Sequence, residues 1–139
     1  MIAIRPEPVT DAVRAEVAAA FDANPLQRAK TDTSAGMVDA VRCLDNAAFC
    51  RVFADGVPVA FFALRIERRG DRREAEVTIA HGRATFDLTA EILPMIERAA
   101  ADLGAHGLTV VTRRGGLIKK LKSSGYGTAA VRLRKELTR

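Results

Sequence analysis

Residues 74–107, EAEVTIAHGRATFDLTAEILPMIERAAADLGAHG, decide how this chain folds. Val77, Thr78 and Ile79 are consecutive β-branched residues, so Glu74–Ala80 reads as a strand. A short polar connector follows it. Leu88, Ile92, Ile96, Ala99 and Leu103 then recur at steps of four, four, three and four, which places them on one face of a long helix. Gly104 stops that helix. A helix that begins at the connector points its unpaired N–H groups there, and such a strand-to-helix junction is a natural anion site.

Downstream, Leu108–Thr112 is a short buried strand, and the intervening helix makes it parallel to Glu74–Ala80 through a right-handed crossover. Upstream, Asp55-Gly56 suits the positive φ angles of a tight hairpin and predicts antiparallel strands over 50–54 and 57–67. Val57–Leu64 is apolar at nearly every position, as expected of a central strand covered on both faces. The charged run Arg68–Arg73 turns the chain back into Glu74–Ala80, completing a meander.

At the N-terminus, Ile2 and Ile4 mark a short strand ended by Pro6 and Pro8. Thr10 caps a helix with Val13, Val17, Ala20 and Phe21 on one face, and Asn24-Pro25 stops it. Leu26–Asp32 reads as loop, and Thr33 or Ser34 caps a second helix carrying Met37, Val41 and Leu44 inward. At the other end, Leu117, Ile118 and Leu121 among three lysines predict a short amphipathic helix closed by Gly125. Alternation of Ala129, Val131 and Leu133 with Ala130, Arg132 and Arg134 predicts a last strand. The expected order is β-α-α-β-β-β-α-β-α-β, a mixed α/β (α+β) sheet of about six strands with helices on both faces, in one domain over 1–139.

Composition limits the function classes. With 48% hydrophobic and 28% charged residues, the chain has the make-up of an ordinary globular domain. No apolar run reaches membrane-spanning length, and MIAIRPEPVTDA lacks the apolar core of a secretion signal, so a cytoplasmic location is expected. Cys43 and Cys50 have no metal spacing, no acidic residues cluster as ligands, and no nucleophile–His pair is readable. The net charge of +5 is unevenly spread. Residues 1–112 hold 13 Lys/Arg against 16 Asp/Glu, and residues 113–139 hold 9 Lys/Arg against Glu136 alone. This basic end suggests an anionic partner or a solvated face. Aromatics make up 5% of the residues and none interleaves with the basic end, so no nucleic-acid motif is present.

Three stretches together resemble the GNAT acetyltransferase superfamily. Ile4-Arg5-Pro6 with Thr10-Asp11-Ala12 is similar to its first strand and entry to the first helix. Phe53–Ala60 is similar to its second and third strands, and Leu103-Gly104-Ala105 through Leu108–Thr112 to Leu121 and Gly125-Tyr126 is similar to its ending. The resemblance covers essentially the whole chain and implies a GNAT-like fold. It also implies that the pantetheine arm of acetyl-CoA lies between splayed fourth and fifth strands, with the pyrophosphate on a Gly-rich loop before the long helix. On that reading the cofactor-binding residues are Ile79, Ala80, Gly82, Arg83, Ala84 and Thr85. The family's glycines fall near Thr85, Asp87 and Thr89, none of which is glycine, and a carboxylate at Asp87 would repel a pyrophosphate. Pro94 implies a kinked or late-starting helix.

Acetyl transfer to an amine needs a base and an acid. The resemblance makes Glu76 the base, against the plainer reading of an exposed carboxylate paired with an arginine of the Arg68–Arg73 turn. His81 is a second candidate base, acting through water, or a polar cap on the strand end. The family's tyrosine acid falls at Leu121, while the sole tyrosine, Tyr126, takes a packing position. Two functions follow. One is an acyl-CoA-dependent N-acetyltransferase with an eroded pyrophosphate loop, acting on an amine acceptor. The other is a catalytically inactive GNAT-like module with a binding or assembly role, resembling the GNAT-like proteins of bacteriophages. In a virion or virion-assembly setting, residues 113–139 would contact an acidic partner protein or packaged DNA. Neither reading involves a membrane or a metal.

Overall fold

The computed structural model describes residues 2–22, 40–82, 88–112 and 115–138. Five strands and four helices appear among them, in the order β1 (Ile2–Glu7), α1 (Asp11–Asp22), α2 (Ala40–Cys43), β2 (Ala47–Ala54), β3 (Val57–Arg69), β4 (Arg72–Gly82), α3 (Leu88–Asp102), β5 (Gly107–Val110) and α4 (Gly115–Ser123). The strands form one sheet in sequence order. Neighbours from β1 to β4 are antiparallel, and β5 joins β4 in parallel across the α3 crossover.

Local chemistry accounts for these elements. Thr10 caps α1, its Oγ1 accepting from the Val13 N–H at 3.2 Å. Asp55 and Gly56 take φ of 51° and 83°, the two-residue turn that matches hairpin twist. Gly104 and Gly125 close α3 and α4 through the same arrangement. In each, the N–H beyond the glycine reaches back into the helix: Ala105 to the Ala100 carbonyl at 3.0 Å, Tyr126 to the Leu121 carbonyl at 3.1 Å. Pro6 is tolerated in β1 because β1 lies at the sheet edge.

The sheet is covered on both faces by separate apolar clusters. On one, Val13, Val17 and Ala20 of α1 and Cys43 of α2 pack on Phe49, Phe61, Ala63 and Ile79. On the other, Ile92, Ile96 and Ala100 of α3 pack on Val52, Phe62, Leu64, Ala75 and Val77. The buried stripe of α3 is therefore Ile92, Leu93, Ile96 and Ala100, whereas Leu103, expected on it, sits in the closing turn and is 42% exposed. Pro94 lies inside α3, which begins at Leu88, so the helix does not start late. No described helix is long and apolar enough to cross a membrane.

The last strand expected from the sequence does not form. A sixth strand over Ala129–Arg134 is absent: residues 126–138 join no ladder, and Val131 and Leu133 are 75% and 90% exposed. Alternation supplies a strand's faces but not a backbone partner, and a strand without one has nothing to hold it. Of the second helix only Ala40–Cys43 is described; its proposed cap at Thr33 or Ser34, its inward Met37, and the Leu26–Asp32 loop lie outside the described residues.

Candidate functional site

The sheet opens at one place. Parallel pairing of β4 with β5 runs from Glu74↔Gly107 to Val77↔Val110, while β4 continues to Gly82 along β3. The edge of β4 from Thr78 to Gly82 is thus left uncovered by β5. The opening coincides with a bulge. Across β3, Leu64 faces Val77 and Ala63 faces Ile79, so Thr78 is the extra residue. A bulge bends its strand and increases local twist, which turns β4 away from β5 just where their pairing ends.

Thr78 is held firmly. It is 4% exposed, and its Oγ1 donates to the Cys43 carbonyl at 2.7 Å. The hydroxyl therefore ties the end of α2 to the bulge and satisfies a carbonyl at a helix C-terminus.

The bulge also resets which way β4 side chains point. Before it, Ala75 and Val77 face α3 and Glu76 shares the α1 face with Arg65, its cross-strand partner. After it, Ile79 faces α1 and Ala80 packs on the α3 side. Glu76 and His81 would sit on opposite faces of a regular strand. The extra residue puts both on the α1 face.

On that face His81 is half-buried, stacked 5.3 Å from the Phe61 ring, and Phe61 lies 5.4 Å from Phe49. Arg65, opposite Glu76, donates to the Asp45 and Arg42 carbonyls just beyond and within α2. Glu76 is half-buried between Arg65 and Thr109. Two arginines of the Arg68–Arg73 turn pair with carboxylates of the neighbouring strands, Arg72 with Glu74 at 3.4 Å and Arg69 with Glu67 at 3.6 Å.

The residues singled out for a cofactor divide into two groups. Ile79 is fully buried under α1, so only its backbone is available to the opening. Ala80 is half-buried on the α3 side, and Gly82 ends β4. Arg83, Ala84 and Thr85 lie outside the described residues, as does Asp87. The backbone edge from Thr78 to Gly82 suits a ligand chain with alternating amides, because such a chain pairs as a strand would. Among the described residues no three His, Cys, Asp or Glu side chains gather as a metal-binding group.

Tyr126 and His106 belong elsewhere. The Tyr126 hydroxyl donates to Glu97 at 2.7 Å, and burial together with that carboxylate pushes its ionisation well above the usual phenol range. His106 Nδ1 accepts from the Arg73 backbone N–H at 3.1 Å, while the His106 backbone N–H donates to the Arg73 carbonyl at 2.7 Å. These residues line an open hollow of 460 Å³ with Ala105, Leu108 and Gly127. The hollow sits at the start of β5, the end away from the opening.

Solved structures share this architecture over their whole length. A transcriptional regulator from Bacillus halodurans C-125 matches with a TM-score of 0.65 and 13% identity, covering 99% of this chain and 100% of its own. The glucosamine-6-phosphate N-acetyltransferase of Arabidopsis thaliana matches at 0.60 with 10% identity, covering 99% of each chain. A predicted acetyltransferase from Clostridium acetobutylicum, solved with acetyl-CoA, matches at 0.64 with 12% identity, covering 98% of this chain and 96% of its own. The chain has the GNAT fold. No family model matches the sequence, and no curated protein matches it. At these identities the GNAT likeness is one of fold.

The residue that sequence reasoning missed is Thr78. Within Val77-Thr78-Ile79 it looks like any β-branched strand residue, and nothing in the alternation marks it as the extra one.

Proposed function

We propose that this GNAT-fold chain is an acyl-CoA-dependent N-acyltransferase acting on an amine. The observation that carries this reading is the opening at Thr78, where β4 runs on to Gly82 after its pairing with β5 has ended. The β4 edge, including the backbone of Ile79 and Ala80 and the bare Gly82, would hold the pantetheine arm. Arg83, Ala84 and Thr85 would meet the phosphates. A bound acyl-CoA would supply the activated thioester.

This chain's own groups then have limited tasks. Glu76, on the α1 face two positions before the bulge, takes the proton from the acceptor ammonium and leaves a nucleophilic amine. His81 on the same face relays protons through water. Tyr126, whose hydroxyl is engaged by Glu97, is not the acid for the leaving thiolate; water fills that role.

A second reading, a non-catalytic binding or assembly module such as a virion component, is favoured by the missing glycines at Thr85, Asp87 and Thr89. Thermal melts separate the two. Ligand at 100 times its dissociation constant adds about 2.7 kcal/mol of stability, and the enzyme reading expects such a shift with acetyl-CoA or a longer acyl-CoA. Glu76→Gln should keep the shift and lower turnover about 100-fold or more, the usual scale for a lost general base. Absence of any shift with millimolar CoA and acyl-CoAs would leave only the binding module.

A further inference from the structure

The hairpin between β3 and β4 carries its charges in an order that strand pairing alone disfavours. β2 accompanies β3 only as far as the Ala47↔Arg65 rung, and β5 joins β4 only from Glu74↔Gly107. Beyond those rungs the two strands run on as a ribbon, Glu67–Arg73, exposed at every residue. Its last three rungs set Glu67 against Glu74, Arg68 against Arg73 and Arg69 against Arg72. Each joins like charges, an arrangement that destabilises a strand pair.

The two faces of the ribbon answer that cost differently. On the α1 face each arginine reaches a carboxylate of its own strand, Arg69 to Glu67 at 3.6 Å and Arg72 to Glu74 at 3.4 Å. Alternation puts Arg68 and Arg73 on the α3 face, in line with Ile66 and Ala75. Neither makes an ion pair among the described residues. Arg73 lies over the closing turn of α3, where a Cβ at Gly104 would stand 3.0 Å from its Nη1. Its backbone is held by His106: the Arg73 N–H donates to His106 Nδ1 at 3.1 Å, and the His106 N–H donates to the Arg73 carbonyl at 2.7 Å. Two arginines thus stand across from each other on a ribbon rooted at its base.

We propose that this ribbon binds the phosphate backbone of duplex DNA, with Arg68 and Arg73 gripping phosphate together. A guanidinium fork matches phosphate oxygens bidentately, and an anion shared by two opposed arginines relieves the repulsion across their rung. The composition of the ribbon selects the partner. From Glu67 to Glu74 there is no apolar or aromatic side chain. The ribbon therefore lacks the buried anchors that hold a protein partner and the rings on which unpaired bases stack. A duplex backbone demands neither. The major groove of B-DNA admits a two-stranded ribbon, whereas the deep, narrow groove of A-form RNA does not. Four arginines against Glu67, Asp71 and Glu74 leave the ribbon one net positive charge, and its unpaired cations lie on the α3 face. Flanking charge adds to it. Ser124–Gly127 line one hollow with His106, so the basic segment starts beside the base of the ribbon. Residues 113–139 hold 9 Lys/Arg against Glu136 alone and supply long-range attraction. The ribbon lies at the start of β4, away from the opening, so DNA binding and acyl transfer are separable.

The test is fluorescence anisotropy of the full chain with a labelled, mixed-sequence duplex DNA of about 20 base pairs, two helical turns, over a salt series. The duplex should bind more tightly than its single strand or the matching RNA duplex. Each lost phosphate contact takes about 0.9 from the slope of log affinity against log salt, so Arg68→Gln with Arg73→Gln should lower the slope by about 1.8. Arg68→Gln alone should lower it by about half as much. That variant should also melt at or above the wild-type temperature, because it removes a like-charge rung. An arginine needed only for the fold would lower the melting temperature instead. Arg5→Gln with Arg14→Gln, at exposed positions on β1 and α1, changes the net charge equally and should leave the slope unchanged. No duplex binding at about 50 mM salt would overturn the proposal, as would an equal loss of slope from the Arg5 and Arg14 pair. Tighter binding of the single strand or the RNA duplex would overturn it too. Polyglutamate that binds through the same two arginines and displaces nothing from them but itself when DNA is added would assign the ribbon to an acidic protein surface and overturn it equally.

Discussion

Deleting Thr78 isolates the feature on which the functional reading depends. With Thr78 removed, Val77 would be followed directly by Ile79, and the alternation already seen on either side would join without a break. Ala75, Val77 and Ala80 would keep the α3 face, and Glu76, Ile79 and His81 the α1 face. The deletion therefore straightens β4 without turning a buried side chain outward, an unusual outcome for a strand deletion. Its expected cost is local. The buried donor to the Cys43 carbonyl, 2.7 Å away, is lost, which amounts to about 1–3 kcal/mol. For a domain of this size that lowers Tm by roughly 3–10 °C. Thr78→Val removes the same hydroxyl and keeps the extra residue, so the two variants should melt within a few degrees of each other.

They should differ in ligand response. Wild type and Thr78→Val gain roughly 6–11 °C from acyl-CoA at 100 times its dissociation constant, and the deletion gains none. Differential scanning fluorimetry with and without acyl-CoA reads both quantities in one plate. A deletion variant that keeps the full ligand shift would refute the link between the bulge and the opening. A deletion variant that fails to fold, beside a folded Thr78→Val, would refute the claim that the faces on either side are already in phase.

Further expectations concern the groups around the sheet. The Arg51 guanidinium spans Glu7 at 2.9 Å and Glu16 at 2.7 Å, joining β2 to β1 and α1. Because Glu16 is 43% exposed, Arg51→Met should cost only about 1 kcal/mol in urea denaturation, and no change at all would mean the cluster is solvated away. Tyr126 is the sole tyrosine and its ionisation is pushed up by burial and Glu97, so absorbance titration should show no phenolate formation through the ordinary range. A raised value in the folded state means its stabilising contribution is complete below the unfolded phenol's range and is lost as pH climbs through that range towards the raised value. Tyr126→Phe should flatten the fall in Tm over that window. Burial pushes the Cys50 thiol up, so a thiol reagent at neutral pH should react slowly until denaturant is added; prompt reaction of the native chain would place Cys50 in contact with solvent.

The fold was legible because its signals are local and physically strong. Thr10, Asp55-Gly56, Gly104 and Gly125 each do what their residue types require, capping, turning or closing an element where the spacing placed them. The apolar run Val57–Leu64 predicts a strand covered on both faces, which holds for Phe61 to Leu64, buried against both clusters, but not at the hairpin end, where Val57 is 60% exposed. Where legibility failed, the missing information was non-local. Ala129–Arg134 has the alternation of a strand, but whether it becomes one depends on a backbone partner that no residue in the segment encodes. The site is harder for the same reason. A strand read at period two separates Glu76 from His81, and the extra residue that unites them is one whose hydroxyl reaches a carbonyl 35 residues earlier in the chain. A bulge is chosen by its neighbours across the sheet and under the helix. Which β4 side chains share a face is therefore a property of the assembled fold and not of the alternation within the strand.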